Sequence, residues 1–136
     1  RGAALPSEAQ WEKAARGTDG RTYPWGEGIS CNLAVYEGCS RDVEHIGDHP
    51  NGISPFGIHD MSGNVWEWVA DWYSEKYYRD SPVSNPLGPV EGIHRVMRGG
   101  TWDSPAENLQ TFNRLKYKPA FFTEGIGFRC ARDAKP

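Results

Sequence analysis

Only one stretch of this chain carries a sustained helical period. In Leu5-Pro6-Ser7-Glu8-Ala9-Gln10-Trp11-Glu12-Lys13-Ala14-Ala15-Arg16-Gly17, the side chains of Trp11, Ala14 and Ala15 fall on one helical face. Ser7 is a good N-cap, and Gln10 completes a capping box. Glu8 suits the positive end of the helix dipole and Arg16 the negative end. Gly17 supplies the left-handed residue that stops a helix. The pattern predicts a helix that docks through one large ring flanked by small residues.

From 18 to 55 no period persists, and turn signals dominate: Tyr23-Pro24-Trp25-Gly26, Asn51-Gly52 and Ser54-Pro55. Short strands are predicted at 56–61 and 65–70. Trp66 and Trp68 alternate, so they share a strand face, which is assigned to the core because dense aromatic sets usually pack inside. Residues 75–89 are polar and punctuated by Pro and Gly, as in a long surface loop. A strand at 92–98, a short helix at 107–115 and a buried final strand at 126–131 complete the prediction. There is no internal repeat and no low-complexity segment.

Composition sharpens this picture. With 136 residues the chain can bury one core, so 1–136 is read as a single domain. Sixteen Gly and ten Pro argue against long helices, while six Trp can bury a large area each. The result is a loop-rich α+β domain. The net charge of −3 is interspersed with no basic stripe, so nucleic acid is not an expected partner. No apolar run approaches the roughly 20 residues of a membrane helix, and no signal-peptide pattern is visible. Of three cysteines, Cys31 and Cys39 bracket a loop that can turn back on itself. They read as a disulfide, consistent with an extracytoplasmic location, or as two free thiols, and geometry decides between these. Cys130 reads as a buried free thiol.

Five motifs in order resemble one family. Leu5-Pro6-Ser7-Glu8-Ala9-Gln10-Trp11-Glu12 is similar to its "LPTEAEWE" block, and Tyr23-Pro24-Trp25-Gly26 to its "PWG" turn. Gly63-Asn64-Val65-Trp66-Glu67-Trp68 matches its "GNVWEW" signature. Arg95-Val96-Met97-Arg98-Gly99-Gly100-Thr101-Trp102 resembles "RVxRGGSW", and Gly127-Phe128-Arg129 the terminal "GFR". The family is that of the formylglycine-generating enzymes, or sulfatase-modifying factors. The resemblance implies a C-type-lectin-like fold, with roughly a hundred further residues upstream in the family domain, so that 1–136 is expected to be the C-terminal part of a larger domain of this type.

It also implies structural calcium. Calcium takes six to eight oxygens from carboxylates and carbonyls. In the family pattern Asp60 and Glu67 ligate through side chains, Gly63 and Val65 through carbonyls. A second site begins at Asn32 and Leu33, with its remaining ligands between 37 and 42. The bland alternative is that Asp60 caps a turn and Glu67 pairs with an arginine.

The family's catalytic members carry two copper-binding cysteines after the "RGGS" strand. The matching positions here are Ser104 and Leu109, which cannot replace soft thiolates. Neither copper nor iron is therefore expected. His45, His49, His59 and His94 form no evident iron set. The segment that forms the family's substrate face suggests a ligand surface of Trp102, Asp103, Ser104, Glu107, Asn108, Asn113 and Arg114. The resulting expectation is a calcium-stabilised recognition or regulatory module. Its partner would be a protein, a peptide, or the upstream part of its own domain. The alternatives are a diverged oxidoreductase, the non-iron part of a sulfoxide synthase, or a scaffold appended to a kinase or an envelope protein.

Overall fold

The structure is a computed structural model and describes residues 2–132. Helix α1 spans Glu8–Arg16. Its start is fixed locally: the Ser7 side chain accepts from the Gln10 N–H at 3.2 Å, and the Gln10 side chain accepts from the Ser7 N–H at 2.9 Å. Gly17, at φ 67°, ends it and donates its N–H to the Lys13 carbonyl. Strand β1 (Trp66–Trp72), helix α2 (Tyr77–Asp80), strand β2 (Arg95–Arg98), a 3₁₀ turn (Ala106–Leu109) and strands β3 (Leu115–Tyr117) and β4 (Ile126–Phe128) follow.

The strands form one sheet in the order β3-β2-β1-β4. β1 and β2 are antiparallel, as are β2 and β3, whereas β4 runs parallel to β1. Glu67 pairs with Arg98, Trp68 with Met97, and Trp66 with Ile126. Because successive side chains point to opposite faces, this register sorts the sheet into two unlike surfaces.

The inner face carries Glu67, Val69 and Asp71 of β1 with Val96 and Arg98 of β2, all buried. Helix α1 lies over it. Trp11 and Ala15 pack with Met61, Val69 and Val96 into the main core cluster. Truncating a buried ring such as Trp11 costs about 3–5 kcal/mol. Charged groups share this core because each has a partner. Trp11 Nε1 donates to Glu67 at 2.6 Å. Arg98 donates to Glu8 at 2.6 Å and to Glu12 at 2.7 Å, and Arg114 donates to both Glu8 oxygens at 2.7 and 2.8 Å. Asp71 accepts from the Glu8 N–H at 2.6 Å, tying β1 to the first turn of α1. A second cluster, of Tyr23, Ala34 and Leu109, sits under the turn-rich N-terminal half. There Cys31 and Cys39 are joined as a disulfide, with Cα atoms 5.3 Å apart.

Several expectations fail for identifiable reasons. Residues 56–61 form turns and bends, not a strand. The Ser54 hydroxyl accepts from the N–H groups of Phe56 and Ile58, which competes with strand pairing, and Asp60 sits at φ 55°. The helix expected at 107–115 is a 3₁₀ turn followed by β3. The final strand is shorter than expected and is not buried, with Phe128 67 % exposed. Cys130 is exposed, because it lies just past the end of β4. Trp66 is buried, but Trp68 is only half-buried on the outer face, while the acids Glu67 and Asp71 take the inner one.

Candidate functional site

The outer face of the sheet is aromatic and open. Trp66, Met97, Leu115, Tyr117 and Ile126 alternate onto it from the four strands. Above them lies a groove of about 550 Å³. Two tight turns build its rim. In the turn at 101–104 the Ser104 N–H donates to the Thr101 carbonyl at 2.9 Å, and the Ser104 hydroxyl accepts from the Thr101 N–H at 3.2 Å. That turn holds Trp102 and Asp103 at its tip. In the second, the Ile126 N–H donates to the Thr123 carbonyl at 3.2 Å, which leaves Glu124 and Gly125 at the tip. The turns are tied together through the start of β1 and the loop just before it: Trp66 N–H donates to the Gly125 carbonyl at 2.8 Å, and Trp102 N–H to the Asn64 carbonyl at 3.0 Å. A methyl group on Gly125 would lie 2.6 Å from Thr101 Oγ1, so glycine permits the close approach.

Tyr117 and Phe121 stack with centroids 4.1 Å apart and planes within 9°, forming the far wall. Trp68, Phe128, Leu5, Pro119 and Arg95 line a neighbouring, mostly apolar depression of about 600 Å³ on the same side.

The residues proposed from sequence separate into three groups. Trp102 and Asp103 line the groove. Glu107, Asn108 and Asn113 gather at the 3₁₀ turn, where Asn113 Nδ2 donates to Asn108 Oδ1 at 3.1 Å, and they do not line the groove. Ser104 and Arg114 belong to the framework. Ser104 is buried, its hydroxyl closes the rim turn and its carbonyl accepts from the Glu37 N–H at 3.0 Å. Arg114 faces inward to Glu8, Tyr73 and the Ser74 carbonyl. Leu109 is fully buried: methyl groups on Gly100 or Gly63 would approach it to 2.6 or 3.1 Å. Sequence reading missed Glu124, Tyr117 and Phe121. The apolar-polar-aromatic alternation of Leu115-Lys116-Tyr117 and the Thr123-Glu124-Gly125 turn were the available signals.

The loop at 60–67 is built around an arginine. Arg129 donates to both Glu67 oxygens at 2.6 Å, and its Nη2 also reaches the carbonyls of His59 and Asp60 at 3.1 Å. Asp60 accepts from the Gly47 N–H at 2.9 Å. The guanidinium thus meets both the Glu67 carboxylate and the Asp60 carbonyl, so an arginine supplies the positive charge at this loop. Glu67, which takes three hydrogen bonds including that of Trp11, keeps little capacity for a further cation. The Val65 N–H donates to the Gly63 carbonyl at 2.9 Å. At the other implied site Asn32 is exposed, and the Leu33 carbonyl packs against Gly52, where a methyl group would sit 1.8 Å from it. Among the described residues no group of three His, Cys, Asp or Glu side chains is placed to hold a metal.

A family model for the sulfatase-modifying factor enzyme 1-like domain matches residues 1–134. The chain belongs to this family. This sulfatase-modifying-factor domain is 42 % identical over 137 residues to the serine/threonine-protein kinase Pkn1 of Chlamydia trachomatis, a match to 98 % of this chain and 22 % of that one. It is 38 % identical over 154 residues to the formylglycine-generating enzyme of Streptomyces coelicolor, covering 98 % of this chain and 48 % of that one. The inactive C-alpha-formylglycine-generating enzyme 2 of Mus musculus is 31 % identical over 150 residues, covering 98 % and 44 %. The domain therefore spans between about a fifth and a half of these relatives. Among solved structures, Treponema denticola variable protein 1 superposes with a TM-score of 0.82 at 28 % identity, over 97 % of this chain and 48 % of the other. PvdO from Pseudomonas aeruginosa gives 0.83 at 28 %, over 97 % and 53 %. The formylglycine-generating-enzyme-type fold, loop-rich α+β with a small mixed sheet, follows from these superpositions and from the topology above.

Among the described residues no helix is long and apolar enough to cross a membrane.

Proposed function

We propose that this sulfatase-modifying-factor domain is a recognition module, binding a protein or peptide partner across the outer face of its sheet without oxidase chemistry of its own. The observation that carries this reading is the use made of positions 104 and 109. Ser104 closes the turn that presents Trp102 and Asp103, and Leu109 fills the core beneath the paired glycines. Neither offers the soft thiolate that copper(I) requires. The direct test incubates the protein with copper and a peptide carrying a sulfatase-type cysteine motif. No loss of thiol and no aldehyde product are expected. Turnover would instead favour the diverged-oxidoreductase reading. The similarity to chlamydial proteins named as serine/threonine-protein kinases suggests a setting in which such a module sits on a kinase chain.

Calcium stabilisation is part of the same proposal, with a narrow structural basis. Asp60, Gly63 and Asn64 have φ of 55°, 85° and 67°, so the loop that begins at Asp60 is turned repeatedly. The donor set fits calcium only in part, because Arg129 already neutralises Glu67. A modest rise in melting midpoint with millimolar calcium over chelator is expected, and Glu67→Ala should remove it while Glu75→Ala should not. An unchanged midpoint would leave Arg129 as the sole counter-charge of this loop.

A further inference from the structure

We propose that the Cys31–Cys39 disulfide stands in for the second calcium ion of the family pattern, clamping the loop at 31–39 onto the loop at 60–64 and the turn at 101–104, and that this clamp is released by thiol reductants. The proposal goes beyond the recognition reading and does not depend on it. The two cysteines close a loop of sequence separation 8, with Cα atoms 5.3 Å apart. No helix or strand lies inside it, so its shape rests on turns: Leu33 N–H donates to the Ser30 carbonyl and Cys39 N–H to the Tyr36 carbonyl, both at 2.9 Å. Ala34 and Val35 are buried, and Ala34 packs with Tyr23 and Leu109. Two backbone bonds lead out of the loop. The Val35 carbonyl accepts from the Asn64 N–H at 3.1 Å, and the Glu37 N–H donates to the Ser104 carbonyl at 3.0 Å. A methyl group on Gly63 would lie 2.1 Å from the Val35 oxygen, so the two loops touch along their backbones. Asn64 completes the connection, because its carbonyl accepts from the Trp102 N–H and the Thr101 hydroxyl, each at 3.0 Å.

Calcium would need six to eight oxygens converging on this loop. The oxygens present do not converge. Asn32 is exposed, and the Leu33 carbonyl lies against Gly52, where a methyl group would meet it at 1.8 Å. Asp42 Oδ1 accepts from the adjacent Val43 N–H at 2.7 Å. Among the described residues no group of three His, Cys, Asp or Glu side chains gathers there. A covalent bond between positions 31 and 39 holds the ends of the loop without a cation, by removing open conformations from the chain. Reduction restores those conformations. A dithiol attacks one sulfur and the S–S bond breaks. Two electrons and two protons end on Cys31 and Cys39 as thiols, while the dithiol closes to its own disulfide. The loop then keeps only its outward backbone bonds and the Ala34 contact, and the turn at 101–104 loses a fixed brace. Cys130 is a free thiol beyond β4 and takes no part.

The test follows amide exchange and chemical shifts by NMR on the whole chain. Four samples are compared: oxidised, reduced with dithiothreitol, oxidised with a calcium chelator, and the Cys31→Ser/Cys39→Ser variant. Reduction and the double variant are each expected to speed exchange at the Glu37 N–H about tenfold to a hundredfold. The amide shifts of Asn64, Trp102 and Ser104 should move with it, while those of Trp11 and Ala15 in α1 stay in place. That contrast separates release of the clamp from general loosening. The chelator should leave exchange at Glu37 and Cys39 unchanged. Both amides lie outside the loop at 60–67, so a calcium effect on that loop does not enter the comparison. Faster Glu37 exchange with chelator would overturn the proposal and assign the loop to a metal. Unchanged Glu37 exchange in the reduced chain would overturn it too, as would shifts of α1 as large as those of the turn. Should the double variant fail to fold, the reduced wild-type chain supplies the same comparison.

Discussion

The two faces of the sheet carry the same residue types to opposite ends. The inner face buries Glu67 and Asp71, and the helix above it buries Glu8, yet Trp11, Arg98, Arg114, Arg129 and the α1 backbone answer these acids. The groove on the outer face has acids at its rim and aromatic rings along its floor and walls, and no basic side chain of the described residues lines it; Arg95, on the same face, stacks on Trp72 instead. The charge that holds this fold together is paired out of sight, whereas Asp103 and Glu124 stand exposed and without an ion pair among the described residues. The difference separates acids that serve the framework from acids that are free to meet a partner.

The largest expected effect comes from breaking the inner side. Arg98→Met leaves Glu8 and Glu12 without their shared cation, and removing one partner of a buried pair costs about 3–5 kcal/mol. Denaturant unfolding measures it, and a loss below about 1 kcal/mol would mean that the inner acids are stabilised by something other than Arg98.

Asp71 gives a smaller effect, visible in pH dependence. Burial pushes its carboxyl above the usual aspartate range; the Glu8 N–H hydrogen bond opposes this, and the Glu8 carboxylate adds to it. Arg114 and Arg95 pull the other way. The folded state then holds the proton more tightly than the unfolded chain. Stability contributed by this group is full below the ordinary aspartate pKa and is lost as pH rises through the raised value. Asp71→Asn should flatten that part of the stability profile while keeping an acceptor for the Glu8 N–H. An unchanged slope would place the titration elsewhere.

The smallest effect sharpens the comparison. Asp103→Asn and Glu124→Gln should each alter stability by less than about 0.5 kcal/mol, as expected of surface groups without partners. A larger loss in thermal melts would assign these acids to the framework after all.

What the sequence revealed follows from how local each signal is. Helix α1 was legible because Ser7, Gln10 and Gly17 act within a few residues of one another. The signature at 63–68 located β1, but alternation alone assigned its tryptophans to the core. The decision between faces was made by Glu8, Trp11 and Arg129, which lie far from β1 in sequence. The strand expected at 56–61 was displaced by hydrogen bonds to the Ser54 hydroxyl, which apolar patterning does not register. Half of the groove was readable in Trp102 and Asp103. The other half comes from β3, which pairs with β2, and from the turn at 123–126, which meets the turn at 101–104 because Trp66 bonds to Gly125 and Trp102 to Asn64, far away in sequence.

Selecting peptides from a random library on the wild-type chain and on a Trp102→Ala variant tests recognition most directly. The variant should keep the melting midpoint, since Trp102 lies at a turn tip on the rim. The account predicts that peptides enriched on the wild type lose at least about tenfold in affinity for the variant, in keeping with an aromatic anchor at a binding centre. Equal enrichment on both proteins would contradict it and move the binding surface away from the outer face.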